Sequence, residues 1–150
     1  MGVISDTHGV LRPEAEDALK GAALIIHAGD IGPRSILEQL GNIAPVIAVR
    51  GNMDSETWAH KLNWTEIIEK NNLLIYLIHD LSRIDLDPAA AQVRIVISGH
   101  THRPSISRHN GILYVNPGSA GPRRSKLPVT AALLHLDGES ADADIITLQV

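Results

Sequence analysis

No cysteine occurs in the chain, which removes disulfide staples, thiolate metal sites and thiol nucleophiles together and fits a reducing, cytoplasmic setting. Any metal must then be held by imidazole, carboxylate or amide groups. Phenylalanine is also absent and aromatics make up 3% of the residues, so the core must be aliphatic, and stacking platforms for single-stranded nucleic acid are not expected. The longest apolar run, Leu73 to Ile78, falls far short of the ~20 residues of a membrane span. The amino terminus enters a strand without a basic leader. No block of like charge accompanies the formal net charge of −4, which argues against an extended nucleic-acid partner but leaves room for a single nucleotide at a local cation. There is no repeat, low-complexity tract or linker. A chain of 150 residues can bury roughly two-thirds of its unfolded surface, so one domain over residues 1–150 is expected.

What is present changes character midway. The first half alternates: a strand near 2–5, a helix near 12–20 opened by Pro13 with Glu14, Glu16 and Asp17, a strand at 23–27, a helix near 33–40 opened by Pro33, and a strand at 45–50. This is a βαβαβ pattern with parallel strands. From Trp64 onward, strands pair around turn residues: Thr65–Glu69 and Leu73–Ile78 flank Asn71-Asn72, while Pro104–His109 and Ile112–Val115 flank Asn110-Gly111. Ala131–Leu136 precedes Asp137-Gly138 and a last strand near 143–149. Asn-Gly and Asp-Gly supply the positive φ of two-residue hairpins, which predicts a largely antiparallel half. A short helix near 87–92, with Asp87 as cap before Pro88, is expected to lead into the buried strand Arg94–Ser98. Two sheets sharing one core account for all of this, an α/β fold.

Five strand ends are followed at once by a metal-binding residue type: Asp6 and His8, Asp30, Asn52, His79, and His100 and His102. Carboxyl ends of strands in such sheets line a common crevice, so these residues are expected to meet. Asp6 and His8, and again His100 and His102, stand at i and i+2, which in extended chain lie on one side. Gly29, Gly51 and Gly99 precede Asp30, Asn52 and His100 at tight strand exits. Asp30 has two carboxylate oxygens and is the natural bridge between two ions ~3.5–4 Å apart. Two divalent ions outweigh Asp6, Asp30 and a bridging hydroxide, and the residual positive charge would attract phosphate. The matching reaction is phosphoester hydrolysis with a metal-bridging hydroxide as nucleophile. Mixed imidazole and oxygen ligands suit two transition-metal ions, Mn²⁺ first with Fe, Zn, Co or Ni as alternatives, better than Mg or Ca.

The series SDTH, GD, GNMD, a lone His after an apolar strand, then GHTH resembles the calcineurin-like metallophosphoesterase superfamily, in particular its small single-domain bacterial and archaeal branch. The resemblance runs from Val3 to about Arg123 and includes the loop Asn116-Pro117-Gly118-Ser119. It implies one ion held by Asp6, His8, Asp30 and His102, a second held by Asp30, Asn52, His79 and His100, and a four-layer αββα sandwich of two mixed sheets with flanking helices. Larger members read Gly-Asn-His, and that His contacts the substrate; here Met53 stands in its place, and a thioether has no proton to give. A diester with an acidic leaving group needs less help from an acid than an alkyl monoester, so a phosphodiesterase is the expected activity. The partner is then a small phosphoester, with a nucleotide as one candidate and self-association left open. A retromer scaffold subunit resembles the same fold and works through partner surfaces, which makes a catalytically weak or inactive binding module the rival reading.

Other polar residues divide less sharply. Asp54 either supports a ligand or caps a short helix ahead of Ser55-Glu56-Thr57. Asp80 is expected in solvent, the alternative being to orient His79. His27 is expected to be packed or to support a ligand, and His60, His109 and His135 to be surface or hairpin residues. Arg123 and Arg124 are expected to be solvated loop residues, the alternative being a contact with substrate phosphate.

Overall fold

A computed structural model describes residues 1–150. The βαβαβ half forms as the pattern predicts, with shorter elements: β1 (Gly2–Ile4), α1 (Pro13–Leu19), β2 (Ile25–His27), α2 (Ser35–Gly41) and β3 (Val46–Ala48). Pro13 opens α1 at its first position, where its missing N–H costs nothing, with Glu14 and Glu16 in the first turn. The second half supplies β4 (Thr65–Lys70), β5 (Leu73–Ile78), β6 (Val93–Ile97), β7 (Ser105–His109), β8 (Ile112–Asn116), β9 (Thr130–Asp137) and β10 (Ser140–Thr147). Asn71, Asn72, Asn110 and Gly111 all have positive φ, the backbone that two-residue hairpins require.

Two five-stranded sheets result, ordered β10-β9-β1-β2-β3 and β4-β5-β6-β8-β7. Both are mixed. In the first, β1, β2 and β3 run parallel and β9 returns antiparallel to β1. In the second, the hairpins are antiparallel as expected, but β5, β6 and β8 run parallel through the centre. The hairpin turns determine only neighbouring pairs; the crossover through residues 79–92 turns β6 parallel to β5.

Strand periodicity assigns the layers. Val3 and Ile26 face inward and join Ile75, Leu77, Ile95 and Ile97 in the core between the sheets, while Ile4 and Ile25 face outward against Ala15 and Leu19 of α1 and Ile36 and Leu40 of α2. The outer face of the second sheet carries Tyr76, Ile78 and Val96, covered partly by Ile84 and Leu86. That fourth layer is the segment after β5, with a 3₁₀ turn at Leu81–Arg83. The helix expected near 87–92 is instead a set of hydrogen-bonded turns. Asp87 does cap it, accepting from the Ala89 N–H at 3.0 Å, but one capped turn is too short a nucleus to propagate before β6 begins. No helix is long and apolar enough to cross a membrane.

Adjacent isoleucines on β4 provide a test of this layering. Ile68 is 6% exposed and packs between the sheets, whereas Ile67 is 56% exposed. Ile68→Ala should cost about 3 kcal/mol and Ile67→Ala less than about 0.5 kcal/mol in urea unfolding. Equal costs would contradict the inward and outward assignment of β4.

Candidate metal centre

The exits of β1 and β2 zip together as backbone before any side chain is considered. The N–H groups of Asp6, His8 and Gly9 donate to the carbonyls of Gly29, Asp30 and Ile31 at 3.0, 3.0 and 2.9 Å. Along this path Asp6, His8 and Asp30 take left-handed φ values of 55°, 45° and 55°, and His100 and His102 take 70° and 61°. The i, i+2 pairs therefore converge by left-handed turns rather than by the extended chain expected from spacing. Asp and His tolerate that region better than most residues, yet each such residue costs about 1–3 kcal/mol and marks a position the surroundings enforce.

Gly29 is required by contact as well as by backbone, and Gly51 by contact. Gly29 has φ 97°, and a Cβ there would lie 2.7 Å from His79 Nδ1. A Cβ on Gly51 would overlap the Asp30 carboxylate.

Asp54 resolves in favour of support. Its buried carboxylate accepts from the backbone N–H groups of Asp30 (2.9 Å), Ile31 (2.8 Å) and Gly51 (2.8 Å), and more loosely from Gly32 (3.4 Å). It thus clamps the β2 exit to the β3 exit, the two segments that carry Asp30 and Asn52. The 3₁₀ turn it was an alternative cap for begins at Thr57 with Glu56 at its cap position. The seryl and amide groups of neighbouring loops act likewise. Ser119 Oγ donates to the Asp6 carbonyl (2.9 Å), and Asn116 Nδ2 donates to the Gly99 carbonyl (2.9 Å), bracing the turn that carries His100.

On this frame the seven residues come together. Asp6 is fully buried; its Oδ2 accepts from Ser5 Oγ (2.7 Å) and the His100 N–H (3.1 Å), and its Oδ1 has no donor. That oxygen lies 3.3 Å from His102 Nε2, 3.8 Å from His8 Nε2 and 3.9 Å from His79 Nε2. The His8 and His102 Nε2 atoms are 3.4 Å apart. On the other side, His79 Nε2 lies 3.3 Å from Asp30 Oδ2 and 3.1 Å from Asn52 Oδ1, and His100 Nδ1 lies 3.2 Å from the same amide oxygen. Asp30 Oδ1 accepts from the Met53 N–H (2.8 Å), which leaves Oδ2 as the atom turned to His79 and to His8, 3.8 Å away. Each carboxylate therefore presents one oxygen, and both oxygens lie between the two imidazole sets; the sharing first read for Asp30 alone is geometrically open to Asp6.

Hydrogen bonds assign the rings. His79 Nδ1 donates to the Ala28 carbonyl at 2.6 Å, so Nε2 is the nitrogen turned to the cluster, a donor to Asp30 when the ring is charged and a lone pair for a metal when it is neutral. Burial works against a charge on His79, but Asp30 and Asp6 outweigh it and hold its pKa above the ordinary value. Asp30 is likewise opposed by burial, yet the bonds from His79 and the Met53 N–H hold its carboxyl below the usual range. His102 is pushed down, chiefly by burial, with Arg124 and His8 adding to it against Asp6. His27 is not in the cluster. Thr7 Oγ1 donates to the Ile31 carbonyl (2.7 Å), so His27 Nε2 must donate to Thr7 (3.0 Å) while Nδ1 accepts from the Gly29 N–H (3.1 Å). That is a neutral ring, and burial accordingly pushes its pKa down to about 3.

The buried Asp6 Oδ1 lacks a donor, and the imidazole nitrogens and carboxylate and amide oxygens gathered around it are a set that a cation would satisfy. Asp6 Oδ1 with the His8 and His102 nitrogens, and Asp30 Oδ2 with His79 Nε2 and Asn52 Oδ1, fit two divalent ions by donor type and by the orphaned buried oxygen.

The remaining residues fall as follows. Asp80 is part-exposed and does not touch His79. It accepts from Ser82 and lies 3.7 Å from His100 Nε2, a pairing that i, i+20 separation hid from the sequence. His60, His109 and His135 are exposed, as are Arg123 and Arg124. The Met53 side chain is 65% exposed. Ser5, Thr7 and Arg50 were not singled out from sequence; Ser5 and Thr7 sit inside the SDTH block, which was the available signal.

A family profile described as the calcineurin-like phosphoesterase superfamily domain matches residues 1–139. A probable metallophosphoesterase of Methanothermobacter thermautotrophicus is 36% identical over 97% of this chain and 91% of its own. Phosphodiesterase YfcE of Escherichia coli is 33% identical over 89% of this chain and 85% of its own. The fold is also shared with Vacuolar Protein Sorting 29 from Cryptosporidium parvum, at a TM-score of 0.75 and 19% identity, covering 97% of this chain and 96% of that one. The chain belongs to the calcineurin-like phosphoesterase superfamily.

Asp54→Ala would leave three buried N–H donors unpaired and should cost about 3 kcal/mol or more, well beyond a cap. Asp54→Asn should recover part of that cost. A loss under about 1 kcal/mol by urea unfolding of chelator-treated protein would show that Asp54 does not clamp the two exits.

Proposed function

We propose that the chain is a binuclear metal-dependent phosphohydrolase acting on phosphodiesters. The observation that carries this reading is the convergence of carboxylate, imidazole and amide ligand atoms from Asp6, His8, Asp30, Asn52, His79, His100 and His102 at one end of two sheets, with the buried Asp6 Oδ1 left without a donor. Asp6, His8, Asp30 and His102 would hold one ion, and Asp30, Asn52, His79 and His100 the other, with Mn²⁺ expected first. When bound, such ions lower the pKa of water toward ~7 and neutralise phosphoryl oxygens in an in-line displacement. The chain's own contribution is orientation. Ser5 and the His100 N–H commit one oxygen of Asp6 so that only the other faces the site. The Ala28 carbonyl sets the His79 tautomer, and Asp80 faces the outer nitrogen of His100.

A cleft of about 560 Å³ opens beside Asn52, His79 and His100, much more room than a phosphate group needs. Space for two ester arms and the absence of a proton at Met53 both favour diesters with acidic leaving groups. The phosphodiesterase named among the relatives supports the same preference. A binding module without turnover is the second reading, favoured by the fold shared with a protein named for vacuolar sorting.

The Mn²⁺-loaded protein should hydrolyse bis(4-nitrophenyl) phosphate faster than 4-nitrophenyl phosphate. Chelator should abolish the activity, and Mn²⁺ should restore it better than Mg²⁺. Turnover no greater than that of free Mn²⁺ with diesters, monoesters and cyclic nucleotides alike would reject the enzyme reading in favour of the second.

A further inference from the structure

We propose that Trp64 and Arg50 form a stacking subsite for a nucleobase carried on one ester arm, so that the substrate class is a nucleotidyl phosphodiester. The proposal rests on the phosphodiesterase reading for the position of phosphorus. Trp64 is an anomaly in this chain. Of the two tryptophans, Trp58 packs against the core beneath α2, whereas Trp64 joins no core cluster and is 56% exposed. An exposed indole without a packing role is nevertheless held in place. The Arg50 N–H donates to the Asn63 carbonyl at 2.9 Å, tying the segment that carries Trp64 to the β3 exit that carries Asn52. Arg50 Nε donates to the Asp54 carbonyl at 2.9 Å, and its guanidinium carbon sits 4.5 Å from the centre of the Trp64 ring. One indole face is thus backed by a guanidinium that is itself anchored to the clamp residue, and the exposure of Trp64 leaves surface for a second planar group.

Trp64 and Arg50 line the same cleft of about 560 Å³ as Asn52, His79 and His100. A planar group stacked there would have its phosphate directed toward the candidate ligands. The charges in the cleft balance, Arg50 and Arg83 against Asp80 and Asp85, so it lacks the basic track that a polynucleotide needs. It suits one base and one phosphodiester, in keeping with the scarcity of aromatics elsewhere.

Two esters with the same leaving group separate the subsite from the chemistry: thymidine 5′-(4-nitrophenyl) phosphate and methyl 4-nitrophenyl phosphate. With the Mn²⁺-loaded protein, the ratio of kcat/KM for the thymidine ester over the methyl ester should fall about tenfold in Trp64→Ala, mainly through KM, and recover in Trp64→Phe. An unchanged ratio overturns the proposal. Binding is read independently of turnover in a Trp58→Phe background, where thymidine 5′-monophosphate should quench the remaining tryptophan saturably and methyl phosphate should not. If neither ester is hydrolysed by the wild type, the phosphodiesterase reading fails while saturable quenching still supports the base subsite. Absence of quenching, or equal quenching by both ligands, overturns the subsite whatever the turnover.

Discussion

A carboxylate with no exposed surface and one oxygen without a donor is expensive to bury, and Asp6 is such a group. The rest of the site is arranged around that cost. Three imidazole nitrogens approach the orphaned oxygen to within 4 Å, and two of them, those of His8 and His102, lie 3.4 Å from each other. Burial opposes a charge on His79, but Asp30 and Asp6 beside it raise its affinity for protons. A divalent ion replaces protons in such a cluster, so folding, protonation and metal binding are linked at one place.

The backbone carries a matching cost. Five of the seven candidate ligands hold left-handed φ values, a strain that local sequence does not favour and that tertiary contacts must maintain. The maintenance is visible: the parallel hydrogen bonds between the β1 and β2 exits, the Asp54 clamp between the β2 and β3 exits, and the Asn116 brace beneath the His100 turn. Two sheets packed on one aliphatic core provide the rigid base from which these loops can be bent. Loss of function by mutation in such a frame need not touch a ligand.

Much of this was legible from the residues, because strand ends, hairpin turns and the order of polar residues are local features. The parallel centre of the second sheet was not, since Asn71-Asn72 and Asn110-Gly111 determine hairpins and say nothing about β5 and β6. The turn at 87–92 carried a real cap, and cap chemistry alone does not distinguish one turn from a helix. Spacing points to the candidate ligands, but period-2 geometry applies to strands, and Asp6 and His8 lie just past one, so they converge through left-handed turns instead. Asp54 was undecided because the N–H groups it binds come mostly from residues 30–32, more than 20 positions away. The Arg50 and Trp64 pair and the Asp80 and His100 pair, 14 and 20 positions apart, likewise join residues that no local pattern connects.

The central property of this site is whether the cluster takes two ions. Calorimetric titration of chelator-treated, folded protein with Mn²⁺ should show two equivalents bound per chain in the wild type. In Asp30→Ala, which removes a ligand from both proposed sets, affinity at both sites should fall. In His8→Ala one site should weaken while the other is retained. Zero or one equivalent at saturation in folded wild-type protein, or two undiminished sites in Asp30→Ala, would contradict a two-ion cluster.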